Sequence, residues 1–294
     1  MMTSGQYRDS LDDLNLDVYI RGNKTVNAYD DPVVCQSIDT VARTYEMAQM
    51  PEHEQIIVAR SHITGSRINR FNHISQNIED LIKRVQLNQL FNGNNGHSFY
   101  RTLGMNTLNA LSITTGDIDA AHGTTHHGRF LKYLEYIQEN DLTCDGSLID
   151  PLGNRWLPPH RQLHSDLLLH AVDETANGVV LRGAKACEIS ALNSHEILVI
   201  PTMTMTKRDD AYAIFFALPS DAEGVTFLID LESHVPTRAG DSIVNRATAA
   251  FREHEALCVF DDVIVPWERI FMYREFEFSE QMEDLYKFSF CFDA

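Results

Sequence analysis

Several residue groups have types and spacings that chemistry uses. His122, His126 and His127 include an i, i+4 pair, which on one helix would turn two imidazoles toward a shared metal. No carboxylate or cysteine stands at a supporting distance, and Gly123-Thr124-Thr125 interrupts the run. A helix start with capping or surface histidines is the expectation there. His195-Glu196 puts a base beside an acid, but neighbours on a strand point to opposite faces, so the pair reads as structural. Glu255 precedes the apolar run 256–260. Partial desolvation would raise its pKa there; an exposed strand-end charge is the equal alternative. The turn Asp150-Pro151-Leu152-Gly153-Asn154-Arg155 carries a guanidinium that could hold a phosphate, though any surface turn could look the same.

The common cofactor signatures are absent: no G-x-G-x-x-G follows a strand, and there is no Walker A loop, G-x-S-x-G or H-E-x-x-H. The 24 basic against 42 acidic residues leave a net charge of −18, which repels nucleic-acid phosphates and anionic lipid. No apolar run approaches the roughly 20 residues of a membrane helix, and the polar first 14 residues do not read as a secretory signal, so a cytoplasmic protein is expected. Five scattered cysteines (Cys35, Cys144, Cys187, Cys258, Cys291) form no C-x-x-C and read as reduced thiols.

The elements that must position these residues fall into two kinds. Asp31 and Pro32 open a helix whose buried face is Val34, Ile38, Val41, Tyr45 and Ala48. A second is expected from about Ser75, with Ile78, Leu81, Ile82 and Val85 inward and Gly93 as its stop. A third carries Met105, Leu108 and 111–113. A fourth carries Phe130, Leu131, Leu134 and Ile137 and ends near Asn140. Residues 1–141 therefore read as an α domain. The period then changes to short runs rich in Val, Ile, Phe and Thr at 142–149, 177–186, 195–202, 212–218, 225–229 and 255–265, an all-β sandwich or small barrel over 142–274. Residues 275–294 turn helical again, with nothing evident to pack on.

Five segments occur in an order that is similar to a known family: Tyr136-Ile-Gln-Glu-Asn-Asp-Leu142, Val180-Leu-Arg-Gly-Ala-Lys-Ala186, Asn193-Ser-His-Glu196, Pro219-Ser-Asp-Ala-Glu-Gly224 and Val259-Phe-Asp-Asp-Val-Ile-Val-Pro266. Together they resemble the flavoproteins of the 4-hydroxyphenylacetate 3-hydroxylase and 4-hydroxybutyryl-CoA dehydratase family, from about Gln6 to Phe278. The resemblance implies an α+β, acyl-CoA dehydrogenase-like fold: an N-terminal α-helical domain, a β-barrel domain, and a C-terminal helical bundle of which 275–294 would be the truncated start.

It also implies FAD (or FADH2) against the segment 148–155, with Leu148, Asp150, Pro151, Asn154 and Arg155, and against Glu188, Ile189 and Ser190. Glu255 falls where the dehydratase places an active-site glutamate. Two cluster cysteines of the dehydratase correspond to Ser98 and Thr102, so no iron–sulfur cluster is expected. A flavin-bonding threonine corresponds to Ile189. The phenol-binding Arg, Tyr and His of the hydroxylase branch correspond to Met105, Asn109 and Gly146. A reduced-flavin monooxygenase is the leading expectation, with a small phenolic or acyl-CoA substrate, a possible flavin reductase partner and a homo-oligomer at full length. The alternatives are a cluster-free acyl-CoA dehydratase- or isomerase-like flavoenzyme and an inactive homologue serving as a binding or assembly subunit.

Overall fold

The computed structural model describes residues 1–93, 99–188, 190–201, 203–229 and 256–291. Its elements are helix α1 (Ser4–Asp12), strands β1 (Asp17–Ile20) and β2 (Asn23–Lys24), helices α2 (Pro32–Met47) and α3 (Glu54–Ile57), and strands β3 (Val58–Arg60) and β4 (Arg67–Asn69). Helices α4 (Ile78–Gly93), α5 (Phe99–His122) and α6 (His126–Glu139) follow. Then come strands β5 (Cys144–Ser147), β6 (His170–Thr175), β7 (Gly178–Glu188), β8 (Glu196–Val199), β9 (Ile214–Pro219), β10 (Val225–Ile229), β11 (Ala256–Pro266) and β12 (Ile270–Tyr273), and finally helix α7 (Ser279–Phe290). No helix among the described residues is long and apolar enough to cross a membrane.

Helix α2 forms where the proline and apolar spacing put it: Val34, Ile38, Val41 and Tyr45 are all buried. Helix α1 was hidden in the polar N-terminus. Thr3 and Gln6 cap it reciprocally, and it buries only Tyr7 and Leu11. The Tyr7 ring stacks on Tyr45 with centroids 4.7 Å apart, which holds α1 on α2.

Helix α4 departs from expectation. It begins at Ile78, and Ile78 and Ile82 are 76% and 53% exposed, while Arg84, Leu87, Asn88 and Phe91 face inward. Its apolar residues run around more than one side, so periodicity did not single out the packed face. Ile78 opens with Ile113 and Phe288 onto an apolar groove of about 350 Å³ between α4, α5 and α7.

The strands form a six-stranded sheet in the order β2-β1-β10-β11-β7-β6 and a four-stranded sheet in the order β12-β9-β8-β5. A closed barrel is not what the described residues build. Alternate residues of both sheets meet in one core, with Val179, Leu181, Phe227 and Phe260 from the larger sheet against Ile197, Val199, Ile214 and Phe216 from the smaller. Phe216 meets Phe260 edge to face at 6.0 Å. Packing between inner faces therefore joins the two layers, and strand periodicity carries no information about which edges hydrogen-bond. Strand β1, from before the helices, lies parallel to β10 with Asp17 opposite Thr226.

Candidate active site

Strand β7 alternates cleanly: Val179, Leu181, Gly183 and Lys185 are buried and the residues between them are half-buried. Lys185 thus enters the interior on an apolar register. Its Nζ donates to Asp150 Oδ1 at 2.7 Å, to Ile200 O at 2.9 Å and to Leu148 O at 3.2 Å. Ala186 N donates to Ile149 O at 2.7 Å. These bonds clamp the 148–155 turn onto the end of β7. Farther along, Gln162 accepts from Asn154 N and donates to the Asn154 and Leu157 carbonyls, which closes the other side of the turn.

The result is an open cleft of about 750 Å³, lined by residues that include Asp150, Pro151, Asn154, Arg155, Ala186 and Leu257. That volume lies within the ordinary range for cofactor and ligand pockets. Arg155 is exposed at its mouth with no hydrogen-bond or ion-pair partner among the described residues, whereas Asp150 is committed to Lys185. Ser190 Oγ is fully buried and lacks a hydrogen-bond partner among the described residues. The structure therefore brings Asp150, Pro151, Asn154 and Arg155 to one cleft beside the end of β7, where the Glu188 backbone pairs with Ala256, while Leu148 packs against the core instead. Ile189 and Glu255 lie outside the described residues.

His195 and Glu196 go to opposite sides, as strand geometry requires. Thr143 N donates to His195 Nδ1 at 3.0 Å, so the ring proton sits on Nε2 and is donated to Ser10 Oγ at 2.9 Å. Burial, with Arg101 nearby, lowers the His195 pKa to about 4. Glu196 points toward Tyr133 and Arg269, with Arg269 Nη1 at 2.6 Å; burial pushes its carboxyl upward and Arg269 opposes that. Each residue ties elements together.

His122 ends α5 and His126 begins α6, so the two do not share a helix. Asp119 accepts from the backbone amides of His126 and His127, in place of a metal arrangement. Among the described residues no three His, Cys, Asp or Glu side chains converge as metal ligands would.

Residues 3–272 match the model of the 4-hydroxyphenylacetate 3-hydroxylase N-terminal region. The chain belongs to the 4-hydroxyphenylacetate 3-hydroxylase family. It is similar to the 4-hydroxybutyryl-CoA dehydratase/vinylacetyl-CoA-Δ-isomerase of Clostridium aminobutyricum, 41% identical over 284 residues, which cover 96% of this chain and 58% of the relative. Among solved structures it resembles an oxygen-tolerant archaeal 4-hydroxybutyryl-CoA dehydratase from N. maritimus, with a TM-score of 0.88, 34% identity, and 99% and 58% of the two chains covered. The oxygenase component of a 4-hydroxyphenylacetate 3-monooxygenase complexed with FAD shares the fold, with a TM-score of 0.77, 24% identity, and 97% and 58% covered. The chain thus spans somewhat over half the length of these relatives.

The positions at which the resemblance implies a departure have defined surroundings. Met105 is buried against Phe71 and Phe91 in a small core. Asn109 accepts from Ser75 N and donates to the His73 and Met105 carbonyls. Gly146 lies so close to α5 that a Cβ there would sit 2.6 Å from Thr107 Oγ1 and 2.8 Å from Leu103 O. A histidine at that position needs α5 to move off β5. Thr102 is buried on α5; Ser98 lies outside the described residues.

Lys185 is the buried cation anchoring this turn that motif reading passed over, although it stands inside one of the quoted segments. A lysine on the inward register of an otherwise apolar strand was its signal.

Proposed function

We propose that this chain is the flavin-binding portion of a flavin-dependent oxidoreductase, with residues 1–141 as its helical domain, 142–274 as its strand-rich domain and 275–294 as the start of a further helical one. The observation that carries the reading is the cleft at the end of β7, where Arg155, without a partner among the described residues, lines a volume that suits a cofactor. Arg155 would pair with the pyrophosphate of FAD, because a guanidinium matches phosphate oxygens in pairs. Asn154 supplies a further polar contact, whereas the Ser190 hydroxyl is closed off from the open cleft. Lys185 fixes the turn, and Pro151 and Leu152 help to exclude water.

Bound reduced flavin would supply the capacity to activate O₂, and a monooxygenase acting with a separate flavin reductase is the leading activity. The burial of Met105 and the crowding at Gly146 direct the substrate away from the phenol anchors of the hydroxylase branch. A second reading, an enzyme acting on CH–CH groups of an acyl-CoA, is favoured by the 41% identity to the dehydratase. In it Glu255 takes the activated C–H proton. Both readings place the protein in the cytoplasm, as a homo-oligomer at full length.

Incubation with FADH2 and O₂ and either a phenol or an acyl-CoA, followed by mass analysis, separates them. A product heavier by one oxygen supports the monooxygenase, and an isomerised or dehydrated thioester supports the second. We further propose that the chain carries no iron–sulfur cluster, because the Thr102 hydroxyl stands in a ligand position. Iron and acid-labile sulfide should stay substoichiometric after anaerobic reconstitution; stoichiometric amounts of both would refute this.

A further inference from the structure

A second concave surface lies between α6 and the turn that joins β11 to β12. It encloses about 600 Å³, and its lining includes Arg129, Lys132, Tyr133, Tyr136, Glu268 and Arg269. It is separate from the β7 cleft. Tyr133 OH is 3.8 Å from Cys144 Sγ at the start of β5, and Ile149 in the cleft is five residues further on, roughly 16 Å along an extended chain.

The charge at this groove runs against the rest of the molecule. In a chain of net charge −18, three cations converge here. Arg269 is neutralised by buried Glu196. Arg129 and Lys132, one turn apart on α6, have no ion-pair partner among the described residues, and Arg129 makes one contact at 3.4 Å, to Ile270 O. Glu268 at the rim offsets one of the two charges. Beside the cations lie aromatic rings: Tyr136 is 42% exposed, and the Arg269 guanidinium sits 5.7 Å from the Tyr133 and Tyr136 centroids.

Two unpaired cations next to an exposed ring suit a ligand with clustered phosphates and a flat base. We propose that this groove binds the phosphate-bearing adenosine end of a nucleotide. Arg129 and Lys132 take the phosphates, and Tyr136 offers its face to the base. The 3′-phospho-ADP end of an acyl-CoA carries this chemistry, whereas the pyrophosphate of FAD is assigned to the Arg155 cleft. Only the choice of an acyl-CoA rests on the function proposed above; the groove itself does not.

Calorimetric titration of adenosine 3′,5′-bisphosphate into the full chain and into an Arg129→Gln/Lys132→Gln variant tests the site. Binding to the unaltered chain, weakened at least tenfold in the variant and weakened by added salt, is the expected result. Tyr136→Ala should weaken the bisphosphate but leave inorganic pyrophosphate unaffected. Parallel titrations then test the source: CoA loses affinity in the double variant if the site serves the thioester, whereas FAD, held at the Arg155 cleft, should bind both proteins equally. No binding to the unaltered chain, or equal binding to both proteins, overturns the proposal. The β7 cleft is tested independently through Arg155, so either site can fail without the other.

Discussion

Arg269 Nη1 stands 2.6 Å from Glu196 Oε2, and the carboxylate it meets is almost wholly buried while the guanidinium reaches the surface groove. The pair joins β8 of the smaller sheet to the turn before β12, and Tyr133 of α6 adds a weak bond to the same oxygen at 3.4 Å. Taking away one member of such a pair is worse than taking away both, because the survivor is a buried charge without a partner.

Arg269→Met should therefore lower stability by about 3 to 5 kcal/mol at neutral pH. Burial already pushes the Glu196 carboxyl up, and losing the cation pushes it further. A folded-state pKa above the unfolded one favours folding at low pH, so the variant's deficit should shrink as pH falls from 8 to 5. Urea unfolding of Arg269→Met and of Arg269→Met/Glu196→Gln checks this. The double variant should recover part of the loss, and a deficit that is flat with pH and unrelieved by the second change would refute the account.

His195 has the opposite linkage. It is buried neutral with its pKa lowered to about 4 from an ordinary 6.5, so it favours the folded state above pH 6.5 and loses that contribution as pH falls toward 4. The full effect is about 3 kcal/mol, at 1.36 kcal/mol per unit. Unfolding free energies between pH 7.5 and 4.5 should fall less steeply in His195→Gln than in the unaltered protein. Parallel slopes would show that another group carries the acid sensitivity.

The contact of α5 with β5 gives a third test. A Cβ on Gly104 would lie 2.2 Å from Cys144 O, an approach only glycine allows without a shift of the backbone. Gly104→Ala should cost about 1 to 3 kcal/mol in thermal or urea unfolding. A neutral substitution would mean that α5 sits farther from β5 than the structure has it.

What the sequence made legible follows from where the information is local. Helix α2 was readable because Pro32 sets its start and Val34, Ile38, Val41 and Tyr45 all find core. The inward face of α4 was not, because Ile78 and Ile82 have the right type but are exposed, and buried Arg84 donates to Asn106 and to Ser289 of α7, more than 200 residues away in the chain. Strand β1 escaped because four residues carry too little periodicity, and its partner β10 is about 200 residues distant. At the candidate site the turn 148–155 was visible through its proline, glycine and arginine. Its anchoring by Lys185 depends on a register that becomes evident only when the whole of β7 is aligned with β11.

The central claim is that flavin lies in the cleft beside Arg155. Calorimetric titration of FAD into the unaltered chain and into Arg155→Ala tests it most directly. A charge-assisted phosphate contact contributes roughly 1.5 to 3 kcal/mol, so the variant should bind about 10- to 100-fold more weakly. Equal affinity in the two proteins, or no binding to the unaltered chain, would contradict it.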